Sequence, residues 1–332
     1  MKPPFFCIEP FKNFSVTKRA GNLGIAPCCG YENEQLVNSL TDFKFETDDH
    51  FNKIRMQWRN GEVPEGCQTC VTDESPTFTS RRQNSYIAFV NKNPLQPLDK
   101  LQLQSIDYWL GDTCNMACIM CGPQNSSLWK REMQITGPAA RKITNNEWNK
   151  FDLSNITYIH FHGGEPLLHN EHIDLLSALP ELGQVTVNYN TNASIRPTQQ
   201  LLDIWKQCKK VEIMLSIDDT EQRFKYIRYP IDWSTIEDNI LWMTANCTSN
   251  VEFSIIQTIN ILNQHYLETV PNWLESAGHS FKIYHQKAVG NLAPDANILE
   301  AINYLDSIDV RRMTNWKQVF PRAAEKLLKD AC

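Results

Sequence analysis

The chemistry in this sequence is concentrated in Gly111-Asp112-Thr113-Cys114-Asn115-Met116-Ala117-Cys118-Ile119-Met120-Cys121, where cysteines stand in C-x3-C-x2-C spacing after the apolar run Ile106 to Leu110. Such a loop can bring three thiolates onto one face of a four-iron cluster. Iron–sulfur clusters usually take four cysteine ligands, so three would leave one iron open. Cys-x2-Cys pairs also serve zinc, and three unrelated thiols are the plain alternative. A second motif, His162-Gly163-Gly164-Glu165-Pro166, follows the apolar run Ile156 to Phe161. Without Cβ atoms its glycines let the backbone approach a ligand closely, and Glu165 can accept hydrogen bonds from an ammonium. A third, Ser216-Ile217-Asp218, ends the run that starts at Val211.

Eleven cysteines among 332 residues, in a reducing compartment, call for a reason other than disulfides. Cys7, Cys28, Cys29, Cys67 and Cys70 lie in the first quarter, in a stretch of weak periodicity with turn formers Gly21, Gly24, Pro27 and Gly30. A bound metal centre would supply what the core of such a stretch lacks. Cys208 and Cys247 sit at the ends of helical patterns and read as small buried hydrophobes. Cys332, the last residue, is assigned no role.

The elements that must position these residues follow from periodicity. Phe51 to Arg59 reads as an amphipathic helix with Phe51, Ile54 and Trp58 on its apolar stripe. From Gln104 onward, short β-branched and aromatic runs alternate with helical patterns, the signature of βαβ units and a parallel sheet. Strands are expected at 106–110, 156–161, 185–190, 211–217, 251–259 and 281–286. Helices are expected at 125–134, from Thr198, from the capping box Ser234 to Glu237, and at 266–276 and 296–308. Six such units make an α/β fold, a partial (β/α)6 TIM-type barrel, with its site at the C-terminal ends of the strands. The expected organisation is a loop-rich module over 1–95, the barrel over 96–310, and a helical tail over 311–332 with Trp316 and a basic face of Arg322, Lys326 and Lys329.

The cysteine loop and the strand-end motifs together resemble the radical S-adenosylmethionine (radical SAM) enzymes. The resemblance implies that Cys114, Cys118 and Cys121 hold a [4Fe-4S] cluster whose open iron is chelated by the amino and carboxylate groups of S-adenosylmethionine. It implies that Gly163, Gly164 and Glu165 hold the methionyl amino group, that Ser216 contacts the cofactor, and that Arg228 binds a carboxylate. Met120 stands where the family often has an aromatic near the adenine. Asn192 and Asp218, at the same strand ends, complete the expected cofactor-binding set. For Arg228 the alternative is an ordinary ion pair. The N-terminal pattern Cys7, Gly24-Ile25-Ala26-Pro27-Cys28-Cys29 and Cys67-x2-Cys70 is similar to the twitch relative of the SPASM domain, an auxiliary cluster module. Here it precedes the barrel rather than following it, and Gly61-Glu62, Glu74 and Ser80-Arg81 fit a subgroup with the module in front. The implied second [4Fe-4S] ligands are Cys7, Cys28, Cys67 and Cys70. Cys29 is the alternative to Cys28, which directly follows Pro27. A four-thiol zinc knuckle is the competing reading.

Asn188, Asn190 and Asn192 alternate along one face of the third barrel strand. With Gln257, Asn260 and His285 they could line a polar chamber or simply cap turns. His162 is a candidate substrate contact and His160 a core residue. The net charge of −6 gives no strong nucleic-acid signal. No apolar run approaches the roughly 20 residues of a membrane span, and Met1 to Pro10 has no signal-peptide core. The expected location is the cytoplasm. The expected activity is reductive cleavage of S-adenosylmethionine to a 5′-deoxyadenosyl radical that takes hydrogen from a peptide or protein substrate. It would be fed by a flavodoxin- or ferredoxin-type donor. A nucleotide or small-metabolite substrate is the alternative, and a non-catalytic metal-binding protein a more distant one.

Overall fold

A computed structural model describes residues 5–19, 22–75, 79–92, 95, 97–137 and 141–331. Cys332 lies outside the described residues. The frame is one nine-stranded sheet of order β3-β2-β1-β4-β5-β6-β7-β8-β9. Its strands are β1 Asn13–Arg19, β2 Asn22–Ala26, β3 Gln35–Val37, β4 Ser105–Trp109, β5 Tyr158–His162, β6 Thr186–Thr191, β7 Lys210–Ser216, β8 Val251–Ile259 and β9 Lys282–Lys287. The run from β4 to β9 is parallel throughout, with helices between successive strands. This is the partial TIM-type barrel expected from the alternating pattern.

The two faces of the sheet differ in chemistry. Along β5, Ile159 and Phe161 are fully buried while Tyr158, His160 and His162 are only partly so; along β7, Val211, Ile213 and Leu215 alternate with Lys210, Glu212, Met214 and Ser216 in the same way. The apolar set packs under the helices with residues such as Leu175, Leu201, Trp205 and Ile240. The polar set faces inward. Register places Asp107, His160, Asn188, Glu212 and Glu252 side by side on neighbouring strands. The interior of a closed barrel is filled by branched apolar side chains; a polar interior belongs to a barrel that keeps a chamber.

Three strands come from the first quarter of the chain, where the sequence pattern marks none. β1 pairs in parallel with β4, Asn13 opposite Ser105 and Val16 opposite Tyr108, and β2 and β3 follow antiparallel. The segment shares the barrel's apolar layer: Phe14 packs on Phe43, Phe45, Trp148 and Phe151. Lys18 of β1 forms a buried ion pair with Glu171 at 2.5 Å, and the same carboxylate oxygen accepts from Tyr108 Oη at 2.9 Å. The expected amphipathic helix spans Asp49–Arg59, capped by Asp48 and burying Phe51, Ile54 and Trp58.

Two local expectations are corrected. The helix assigned to the Ser234–Glu237 capping box begins one residue earlier, at Trp233, and runs to Asn246 with no side-chain cap at Asp232. Glu237 instead accepts from the Trp273 indole at 2.8 Å, a tertiary partner that outcompetes the local cap. The helix expected from 125 starts at Ser127, because Ser126 Oγ caps it by accepting from Trp129 N. At the far end, the helices Ile298–Arg312 and Pro321–Asp330 form a second apolar layer with Ala117, Ile119 and Trp129. Among the described residues no helix is long and apolar enough to cross a membrane.

Candidate active site

A cavity of about 470 Å³ opens at the C-terminal ends of the barrel strands. Cys114, Cys118 and Cys121 line it together with Met120, Gly163, Gly164, Asn190, Asn192, Ser216 and Arg228. The ends of β5, β6 and β7, the loop after β4 and the end of the helix Glu221–Ile227 are thereby brought to one place. His162 lines the cavity as well, held neutral because burial, aided by the neighbouring His160, lowers its pKa to about 3.

Backbone bonds from all sides fix the cysteine loop. Ala117 N donates to Tyr229 O at 2.7 Å and Ile119 N to Ile227 O at 2.8 Å. Trp129 Nε1 donates to Cys118 O at 2.8 Å, Tyr304 Oη to Ile119 O at 2.7 Å, and Arg312 Nη2 to Ala117 O at 2.5 Å. The glycine motif closes on the same loop: Gly164 N donates to Gly111 O at 2.7 Å and Glu165 N to Thr113 O at 2.8 Å. A Cβ on Gly164 would lie 2.3 Å from Thr113 O, and Gly163 has φ +137°. Both positions require glycine.

Glu165, expected to hold an amino group, lies behind the cavity wall. It is fully buried and does not line the cavity. Oε1 accepts from Thr191 Oγ1 at 2.7 Å and Leu167 N at 3.0 Å, and Oε2 from Asn192 N at 2.7 Å. Its carboxylate therefore holds the end of β6 in place. Asp218 lies behind the wall as well. It is fully buried, Oδ1 accepts from Thr258 N at 2.7 Å, and Oδ2 lies 2.8 Å from Arg228 Nε without the alignment of a hydrogen bond. Arg228 combines both of its readings: it is half of a buried ion pair, and its Nη1 stands 3.9 Å from Cys118 Sγ on the cavity wall. Burial works against its charge, but Asp218 and the Cys118 and Cys121 thiols outweigh that and raise its pKa.

The remaining polar candidates divide. Asn188 lines a separate chamber of about 550 Å³ at the opposite end of the strands, with Lys210, Glu212 and Glu252. Gln257 is buried, bonded to Asp218 O at 3.0 Å and to His285 Nε2 at 3.1 Å. Asn260 is a turn residue accepting from Leu262 N at 2.9 Å. His160 is partly buried, 3.4 Å from Asp107 and stacked on His162. Sequence reasoning missed Thr17, Cys29, Trp109, Asn125 and Gln286 as cavity residues; Thr17 could only be found once β1 is known to pair beside β4.

The N-terminal cysteines separate into two groups. Cys7, Cys28, Cys67 and Cys70 line one small cavity with Trp58, Glu9, Arg81 and Arg82, whereas Cys29 lines the main cavity. Arg81 stands between the two cavities, donating to Cys29 Sγ at 3.0 Å and to Asp107 Oδ2 at 2.7 Å.

Both thiol groups suit soft metal centres. Burial pushes Cys114 up to about 11 and Cys118 to about 12, with Arg228 opposing in both cases. Burial likewise raises Cys67 to about 12, opposed by the nearby Trp58 indole, and lifts Cys7 and Cys28 well above the ordinary thiol range. Such thiols yield thiolates when a metal replaces the proton. Among the described residues no three His, Cys, Asp or Glu side chains close on a single point as one metal ion requires. The ligands of a four-iron cluster stand around a larger body, and three thiols around one cavity wall fit that demand.

No family model matches the chain, and no curated protein matches it. Among solved structures it is similar to native anSMEcpe with bound AdoMet, at 14% identity over 62% of this chain and 60% of that one, TM-score 0.44. It is also similar to Streptococcus suis SuiB bound to S-adenosylmethionine (12% identity, 82% of this chain and 72% of that one, TM-score 0.35). A third likeness is to TYW1 with a lysine-pyruvate adduct bound (12%, 62% and 70%, TM-score 0.34). The chain spans 60% of the length of the first of these. Likenesses at these scores decide neither family nor activity.

Proposed function

We propose that the protein is a radical SAM enzyme. The observation that carries this reading is the convergence of Cys114, Cys118 and Cys121 with Gly163, Gly164, Asn192, Ser216 and Arg228 on one cavity at the C-terminal ends of the barrel strands. Cys114, Cys118 and Cys121 would hold a [4Fe-4S] cluster. With S-adenosylmethionine bound, that cluster would supply the electron that releases a 5′-deoxyadenosyl radical, the species that would take hydrogen from a substrate.

The chain's own part is to bind, orient and shield. Arg228 places a fixed positive charge beside the cysteine sulfurs, where it offsets their charge as thiolates. Gly163 and Gly164 leave backbone at the wall where a side chain would otherwise stand. Ser216 and Asn192 offer hydrogen bonds to a polar ligand, and Met120 a polarisable contact. His162 remains an uncharged imidazole well below neutral pH and meets a substrate as a neutral donor or acceptor.

Cys7, Cys28, Cys67 and Cys70 would hold a second, fully ligated [4Fe-4S] cluster in the module over 1–95, and a flavodoxin- or ferredoxin-type donor would supply electrons. The favoured substrate is a peptide or protein; a nucleotide or small metabolite is the other outcome that product analysis would reveal.

The test is anaerobic reconstitution with iron and sulfide, followed by a strong reductant and S-adenosylmethionine. Wild type should hold about eight irons per chain and the Cys114/Cys118/Cys121→Ala variant about four. Formation of 5′-deoxyadenosine should vanish in each of the three single cysteine variants. Its persistence in any of them would overturn the proposal.

A further inference from the structure

We propose that the indole N–H of Trp58 is a hydrogen-bond donor to the sulfur shell of the group held by Cys7, Cys28, Cys67 and Cys70, and that it sets that group's reduction potential. The proposal rests on the auxiliary-cluster reading above.

Trp58 closes the helix Asp49–Arg59 and is 2% exposed. It packs with Cys7 and Ile54, with Cys67 and Val71 against the same cluster, and it lines the small cavity that the four thiols share. Its Nε1 is buried and meets no acceptor at full hydrogen-bond geometry, although it stands close enough to the Cys67 sulfur to favour that sulfur's charged form. A buried donor left unpaired costs about 1–3 kcal/mol, so its retention calls for an acceptor. The charged groups at this cavity are engaged elsewhere. Glu9 accepts from Ser85 Oγ, Arg81 pairs with Asp107, and Arg82 pairs with Glu74 at 2.6 Å. What faces the indole across the cavity is sulfur. A neutral thiol accepts weakly, whereas a sulfur carrying negative charge accepts well. The N–H is therefore pre-placed for a charged sulfur shell that the bare thiols do not provide.

The direction of its effect follows from charge. Reduction adds an electron to the group, so the reduced form gains more from an N–H donor than the oxidised form does. Hydrogen bonds to the sulfurs are among the factors that set cluster potentials. Trp58 ligates nothing and takes no part in hydrogen abstraction; it acts through the potential alone.

The test uses the full-length Cys114/Cys118/Cys121→Ala variant, reconstituted anaerobically with ferrous iron and sulfide, so that only the auxiliary cluster is present. In a potentiometric titration followed by electron paramagnetic resonance, Trp58→Phe should shift the midpoint to lower potential with iron per chain unchanged. Ile54→Val, which thins the same packing layer and removes no donor, should leave the midpoint where it was. An unchanged midpoint in Trp58→Phe would overturn the proposal, as would equal shifts in both variants, which would assign the effect to packing. Should Trp58→Phe fail to fold, the parent protein labelled with ¹⁵N-indole tryptophan decides. Trp58 is the only tryptophan among the described residues lining that cavity, and a ¹⁵N coupling on the reduced cluster supports the proposal, whereas its absence overturns it. Zinc without iron in the parent would overturn the auxiliary-cluster reading itself, and the proposal with it.

Discussion

Arg312 Nη2 donates to the carbonyl of Ala117 at 2.5 Å, joining the last long helix to the middle of the cysteine loop across 195 positions of sequence. The guanidinium is sandwiched between Trp129, at 5.0 Å from its ring centre, and Tyr229, at 4.6 Å. The loop that would hold the catalytic cluster is thus fastened by a helix outside the barrel.

Removing that fastening should be costly. Arg312→Ala leaves the Ala117 carbonyl without its partner, a penalty of about 1–3 kcal/mol for a buried group. Urea unfolding should show this loss, and reconstitution should give fewer irons per chain. Wild-type stability together with full iron loading would dismiss the fastening role.

Glu165 and Ser216 should respond in opposite ways. Glu165→Ala removes the acceptor of two hydrogen bonds at the end of β6 and of one from Leu167 N, and should destabilise the protein before any cofactor is added, by roughly 3 kcal/mol or more. Ser216→Ala should leave stability near wild type and weaken S-adenosylmethionine binding by about 0.5–1.5 kcal/mol, the value of a neutral hydrogen bond. Denaturation and calorimetry on both variants separate the two roles.

Cys28 and Cys29 should be distinguishable by iron content. Because Cys28 shares its cavity with Cys7, Cys67 and Cys70, Cys28→Ala should lose iron from the auxiliary site. Cys29 lines the main cavity, and Cys29→Ala should keep the full complement. The reverse pattern would exchange their assignments.

Acid should destabilise the fold in a defined window. Burial lowers His162 and His172 to about 3 and His169 to about 4, each below the ordinary 6.5. Below pH 6.5 the unfolded chain takes up protons that the folded chain refuses. The stability these histidines contribute is therefore present above pH 6.5 and is lost as pH falls toward 4 and then 3. The loss is at most about 1.4 kcal/mol per pH unit for each histidine. Urea midpoints at pH 7.5 and 5 should differ accordingly, and His172→Asn should flatten the slope.

The barrel was legible because its strands carry a local signal. Runs such as Val211 to Ile217 are apolar enough to stand out between helical patterns, and the chemical motifs fall at their ends. β1 was not legible: Asn-Phe-Ser-Val-Thr-Lys-Arg is short and surrounded by turn formers, and its place is set by pairing with β2 on one side and the distant β4 on the other. Ser216, Met120 and Arg228 were named through the family resemblance, and all three line the cavity. The inward turn of Glu165 could not be read, because its partners Thr191 and Asn192 lie 26 and 27 residues away and nothing near the motif announces them. Tyr304 and Arg312 were silent for the same reason, being ordinary helical residues whose targets are loop carbonyls.

The parallel pairing of β1 with β4 has a consequence for how the two halves of the gene product depend on each other. A chain shortened to the barrel would begin its sheet at β4 with a bare row of amide and carbonyl groups on a strand that β1 otherwise covers, the kind of edge that recruits other chains. During synthesis β1 can pair with β2 at once, but its other edge stays open until residue 105 is made. The front segment therefore behaves as an edge guard that is installed late, and a barrel expressed without it should precipitate.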